Sequence, residues 1–190
     1  LADKNDYKNR DNNYITLKND QPYFNDSSDY ICIFPGASGF IKTWPKEKFR
    51  ELIEKIIKQS NYKIIICGLI NEIYLGEYLD FPKNSRILNL VNKTTLTETL
   101  NIISHSKYIV TNDSFAAHGA DAFRIPASIL FGSTTPSFGF IPIYHKISIE
   151  YINLSCSPCS RHGKGNCRFK NLKCFQDIDT QSVFNNILNL

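Results

Sequence analysis

The feature that most constrains this chain is an alternation, repeated along its length, of short runs that are apolar throughout with amphipathic stretches. Tyr30–Phe34 is such a run, and Pro45–Gln59 follows with Phe49, Leu52, Ile53, Ile56 and Ile57 at i, i+3, i+4, i+7 and i+8. The unit recurs as strand Tyr62–Cys67 with helix Asn71–Leu79, strand Arg86–Leu90 with helix Thr95–His105, strand Lys107–Thr111 with helix Ser114–Phe123, and strand Pro126–Phe131. In the third helix Leu96, Leu100 and Ile103 fall on one side, and Pro45 marks the start of the first. Strands without a polar face need cover on both sides, so the pattern predicts an α/β fold: a doubly wound, Rossmann-like parallel sheet with right-handed crossovers. After Phe131 the rhythm breaks at Gly132, Pro136, Gly139 and Pro142, then yields a strand at Lys146–Ile152, a cysteine-rich loop and a last helix at Thr180–Leu188.

Composition narrows the class further. With 190 residues, 42% hydrophobic and 21% charged, the chain has the make-up of one globular domain rather than a disordered or fibrous segment. No apolar run reaches the roughly 18 residues a membrane helix needs, and residues 1–29 are polar, with six Asn and six Asp around a short apolar phrase, Tyr14–Leu17. These residues read as a linker or lead-in, residues 30–190 as the domain, and the chain as soluble and not exported. There is no Met, so a piece of a longer protein is expected. Six Asp against four Lys or Arg in the first 29 residues leave the body with an excess of six positive charges, which favours anionic ligands but is thin for a nucleic-acid coat.

In an open parallel sheet, ligands bind beyond the C-terminal ends of the strands, so the loops after the strands carry the function. After Phe34 comes Pro-Gly-Ala-Ser-Gly-Phe-Ile-Lys-Thr-Trp-Pro, with glycines for close approach, the Ser38 hydroxyl and the Lys42 charge. Its spacing matches neither the phosphate-binding P-loop nor the dinucleotide fingerprint. After Cys67, Glu72 stands about one turn on, where a carboxylate can accept from ribose hydroxyls or simply suit a helix N-terminus. After Thr111, Asp113 or Ser114 can cap the next helix, with His118 one turn inside it as a ligand group or a core histidine. The loop Phe131–Ser137 is rich in hydroxyls and is expected to line the same crevice without forming a helix.

Taken together, Pro-Gly-Ala-Ser with Lys-x-Trp-Pro, Gly-x-x-x-Glu, Lys93-Thr-x-Leu96, Asn-Asp-Ser with His five residues after the Asp, and Phe-Gly-x-Thr-x-Pro resemble the C-terminal domain of the heptosyltransferases, glycosyltransferase family 9. The resemblance runs from about Tyr30 to Leu188 in the family's order. It implies one half of a GT-B glycosyltransferase, the half that binds a nucleotide-diphosphate sugar such as ADP-heptose. The reaction it implies is inverting transfer to a lipopolysaccharide-type or other glycan acceptor, with no cofactor required. The acceptor site and the general base are then expected in an N-terminal half absent from this chain, which alone should be inactive. By position, Ser38 and Lys42 become contacts to the donor phosphates, Glu72 the ribose partner, and Asp113, Ser114 and His118 the group around diphosphate and sugar. The expected location is cytoplasmic, at the inner face of the membrane, with peripheral membrane association of the full-length protein. Two positions depart from the family: Phe115 stands where Gly is common, directly after the cap, and Phe34 where His usually precedes Pro-Gly. A ring at Phe115 competes with an approaching phosphate for space.

Cys156, Cys159, Cys167 and Cys174 form a C-x2-C-x7-C-x6-C array in a stretch, 155–176, that has no acidic residue and five Lys or Arg. Four thiolates at this spacing can hold a structural zinc, with His162 able to replace one of them; the competing reading is thiols, reduced or disulfide-paired, that pin an extended loop. Cys32 and Cys67 read as buried thiols. Two other classes stay open: a non-catalytic nucleotide-binding or assembly domain, and a zinc-stabilised nucleic-acid module. Against the second, the aromatic and basic residues do not interleave as a single-strand platform, so no nucleic-acid partner is expected.

Overall fold

The computed structural model describes residues 28–81 and 84–190, in which six strands pair, all parallel, into one sheet. The strands are β1 (Tyr30–Phe34), β2 (Lys63–Ile66), β3 (Ile87–Asn89), β4 (Tyr108–Asn112), β5 (Ala127–Phe131) and β6 (Ile147–Tyr151), in the order β3-β2-β1-β4-β5-β6. Every residue of β1, β4 and β5 is buried, as strands covered on both faces must be, whereas the edge strands β3 and β6 are only half-buried.

Successive side chains go to opposite faces and divide the core in two. Ile31, Ile33, Ile64, Ile66, Val110 and Leu130 point toward α1 (Lys46–Gln59), α2 (Ile73–Leu79) and, later in the chain, α6 (Thr180–Leu188). Cys32, Phe34, Ile65, Ile109 and Ile129 point toward α3 (Leu96–Ser104) and α4 (Phe115–Phe123). This is the doubly wound fold that the apolar runs predict. The expected lead-in over residues 1–29, with its Tyr14–Leu17 phrase, falls almost wholly outside the described residues.

Local chemistry explains the element ends and several departures from expectation. Pro45 is the residue before α1 rather than its first helical residue, and its carbonyl accepts from Lys48 and Phe49. Thr95 and Glu98 close a capping box around the start of α3, the hydroxyl taking the Glu98 N–H and the carboxylate taking the Thr95 N–H. The stripe expected on α3 is corrected: Ile102 and Ile103 are buried, while Leu96 is 63% exposed. Three short elements were not expected, one of them the 3-10 turn Phe40–Lys42. Pro136–Phe138 forms one 3-10 turn in the hydroxyl-rich loop, and α5 (Lys173–Gln176) seats Phe175 fully in the core.

Candidate functional site

Strand order reverses between β1 and β4, so the loops leaving these two strands diverge and open a crevice between them. Asn112, the last residue of β4 and fully buried, fastens the two sides together. Its Oδ1 accepts from the Trp44 N–H at 2.8 Å, and its Nδ2 donates to the Pro35 carbonyl at 2.9 Å and the Gly36 carbonyl at 3.1 Å. Trp44 is itself fixed by its indole N–H on the Phe175 carbonyl, 3.1 Å away, and by an edge-on contact with the Phe49 ring. In the sequence Asn112 is part of the Asn-Asp-Ser motif but has no role assigned, because one amide at a strand end gives no local sign that both its arms are engaged at long range.

The crevice holds a cavity of about 890 Å³ lined by all six residues singled out in the sequence: Ser38, Lys42, Glu72, Asp113, Ser114 and His118. Lys42 stands at the end of a 3-10 turn (Phe40–Lys42) and reaches Asp113 with Nζ–Oδ2 at 2.8 Å, both side chains largely shielded from solvent. The same Asp113 oxygen accepts from the Thr134 hydroxyl at 2.9 Å, which ties the loop after β5 to the loop after β4. An ammonium has three donors, so Lys42 keeps hydrogens free for a ligand while Asp113 holds it in place.

Ser114 occupies the N-cap position of α4, yet its hydroxyl pairs with Thr111 at 2.9 Å and does not cap the helix; Asp113 is engaged by Lys42 and Thr134. The side-chain cap expected from either residue is therefore absent, and the first N–H groups of α4 have no side-chain acceptor from them. His118 is exposed on the first turns of this helix, which removes the core-histidine reading. Phe115, at the first helical position, is 48% exposed and lines the same cavity.

Glu72 lies across the cavity, where its Oε2 accepts from the Leu69 N–H at 2.8 Å. Two glycines make its niche: a Cβ at Gly36 would stand 1.9 Å from the carboxylate, and one at Gly68 would stand 2.6 Å away. Burial pushes this carboxyl above the ordinary glutamate range, with the Leu69 N–H acting in the opposite direction. Apolar side chains complete the walls, among them Leu69, Leu96, Phe138 and Phe140, all outside the sequence-derived set. Arg161, His162 and Lys164, from the cysteine-rich loop, also line it.

The four clustered cysteines share a second cavity of about 570 Å³, but among the described residues no three Cys, His, Asp or Glu side chains are placed to hold a metal, and all six cysteines are free thiols. The expected structural zinc on Cys156, Cys159, Cys167 and Cys174 thus finds no ligand set. Cys156 and Cys159 are exposed on the loop, Cys167 is half-buried, and Cys174 is buried beside Phe175 on α5, all four against the same cavity. Among the described residues no disulfide is formed. Cys32 and Cys67 are fully buried, and burial raises both thiols, Cys67 to about 12.

Residues 2–171 match the sequence pattern of the family described as glycosyltransferase family 9 (heptosyltransferase). Among curated proteins, the lipooligosaccharide heptosyltransferase 2 of Campylobacter jejuni (strain 81116) is 27% identical over 164 residues, covering 82% of this chain and 49% of that protein. Among solved structures, the Escherichia coli ADP-heptose LPS heptosyltransferase II superposes with a TM-score of 0.71 at 25% identity, covering 85% of this chain and 46% of that one. The iron-containing dodecameric glycosyltransferase TibC of enterotoxigenic E. coli shares the fold, with a TM-score of 0.66 at 16% identity, covering 93% of this chain and 47% of that one. The chain spans about half the length of the curated relatives it matches.

Proposed function

The chain belongs to glycosyltransferase family 9, the heptosyltransferases, and from that premise we propose that it is the donor-binding half of an enzyme that transfers a heptose-like sugar from an ADP-linked donor to a lipopolysaccharide-type acceptor. The observation that carries this reading is the convergence of Lys42, Glu72, Asp113, Ser114 and His118 on one cavity beyond the C-terminal strand ends. Two relatives support the donor and acceptor classes: one is an ADP-heptose LPS heptosyltransferase, the other a lipooligosaccharide heptosyltransferase.

In this reading the donor diphosphate takes the uncapped N-terminus of α4 and the free hydrogens of Lys42, while Glu72 accepts from the ribose hydroxyls and Ser38 closes on the phosphates. An acceptor hydroxyl loses its proton to a carboxylate and attacks the anomeric carbon. The bond from that carbon to the diphosphate oxygen breaks, and the nucleoside diphosphate departs with the bonding pair. Negative charge grows on the leaving group, and Lys42 with the helix N-terminus stabilises it where it forms. No carboxylate of this chain is assigned as the base, since Asp113 is engaged by Lys42 and Thr134, and Glu72 by Leu69. The acceptor site and base belong to the remaining half of the enzyme, so the isolated chain should turn over no donor. Nothing in the proposed chemistry is routed through a metal.

Among the described residues no helix is long and apolar enough to cross a membrane. The reading places the work in the cytoplasm at the inner face of the membrane, where a lipid-linked acceptor would be met. Calorimetric titration tests it: ADP should bind more tightly than adenosine or a short single-stranded oligonucleotide, and Lys42→Ala should weaken ADP by roughly 1.5 to 3 kcal/mol, the range for a charged hydrogen bond. Equal binding of ADP and adenosine, or preference for the oligonucleotide, would overturn the donor assignment.

A further inference from the structure

The loops after β1, β2 and β4 bring no net positive charge to the proposed donor cavity. Of the charged groups supplied by the loops after β1, β2 and β4, Lys42 is already paired with Asp113, which leaves the Glu72 carboxylate as the uncompensated charge. A nucleotide sugar brings about two negative charges, and the departing nucleoside diphosphate brings more. Further cations at the cavity would offset this charge. Three residues of the cysteine-rich loop line the same cavity, Arg161, His162 and Lys164. Among the described residues, neither Arg161 nor Lys164 has a carboxylate within ion-pair distance.

The loop is also built to stay there. Its base is tied to the segment after β5, where the Cys159 and Ser160 N–H groups donate to the Ser133 carbonyl at 3.1 and 3.2 Å. Its turn is closed by the Lys164 N–H on the Ser160 hydroxyl at 2.9 Å. Its tip, Gly163, is buried between exposed neighbours and has φ +72, in the left-handed region. A Cβ on Gly163 would come 2.0 Å from the Lys42 methylenes, and one on Gly39 would come 2.2 Å from the Gly163 carbonyl oxygen. A glycine-on-glycine contact therefore lays the tip directly on the Lys42 loop and leaves the flanking cations at the mouth of the cavity.

We propose that the Arg161–Lys164 tip is a phosphate-recognition element of the donor site, in which Arg161 and Lys164 bind the diphosphate together with Lys42 and Gly163 seats them against the Lys42 loop. This rests on the donor-site reading above and adds to it a segment remote in sequence. Charge recognition of this kind separates nucleoside diphosphates from nucleosides and favours the released diphosphate over the intact donor, which carries less charge.

The test is calorimetric titration of the chain with ADP and with adenosine, at two salt concentrations, for the parent protein, Lys42→Ala, the Arg161→Ala/Lys164→Ala double variant, and Gly163→Ala, with thermal unfolding as the check on folding. The double variant should lose at least about tenfold in ADP affinity, keep the parent's adenosine affinity, and show a shallower salt dependence. Gly163→Ala should reproduce the ADP loss with both cations intact. If the parent binds ADP and Lys42→Ala weakens it while the folded double variant binds as the parent does, the tip proposal is overturned and the donor site stands. If the parent itself prefers no diphosphate, both are overturned.

Discussion

The Glu72 carboxylate sits in a niche that only Gly36 and Gly68 leave open, and it pays for that position in hydration. Its folded-state pKa lies above its unfolded one. The protein therefore loses stability as pH rises from the ordinary glutamate range toward the folded value, and the loss is complete above it. Glu72→Gln keeps an acceptor for the Leu69 N–H but cannot ionise. It should leave the thermal midpoint unchanged at about pH 4 and raise it at pH 7 relative to the parent. In the same variant, ADP affinity should fall by about 0.5 to 1.5 kcal/mol, because an amide is a weaker acceptor than a carboxylate for ribose hydroxyls. An equal midpoint shift at both pH values would show that ionisation of Glu72 is not what costs stability. At this scale the sequence was informative about which residues gather and uninformative about how they are held. The Lys42, Glu72 and Asp113 positions follow from strand ends, whereas the Asn112 clamp and the Thr134–Asp113 bond join loops far apart in the chain and leave no local pattern.

Among the elements, β1, β4 and β5 were legible because burial on both faces makes them apolar throughout, and α1 because its buried residues recur with the helical period. The opposite holds for α5. Four residues are too few to display a period, and the helix is entered through Leu172 at φ 46, a left-handed conformation no rule assigns to leucine. Yet α5 matters to the site, since its Phe175 carbonyl takes the Trp44 indole and its ring fills the space above Gly132, just beyond β5. A Cβ at Gly132 would lie 2.1 Å from that ring. Gly132→Ala should accordingly destabilise the protein by about 1 to 3 kcal/mol, the cost of overpacking, read as a lowered midpoint in thermal or urea unfolding. An unchanged midpoint would mean that Phe175 is free to move and that α5 is not a rigid support.

At the scale of the whole molecule, a parallel sheet whose order reverses between β1 and β4 turns five separate loops into the wall of one cavity, and the cysteine-rich segment folds back from beyond β6 to close its open side. The doubly wound sheet could be anticipated from the rhythm of apolar runs. That return could not, because it depends on Gly163 meeting Gly39 across more than half the chain, and the eye is drawn instead to the cysteines of the segment, which gather around a different cavity and form no metal-ligand set among the described residues. The central claim is that the crevice binds a nucleoside diphosphate with its phosphates between the start of α4 and Lys42. A crystal structure of the chain with ADP tests it most directly. The account predicts the diphosphate within hydrogen-bonding distance of Lys42 Nζ and the first N–H groups of α4, with the ribose hydroxyls on Glu72. ADP bound outside this cavity, or lying in it with the phosphates turned away from both Lys42 and α4, would contradict it.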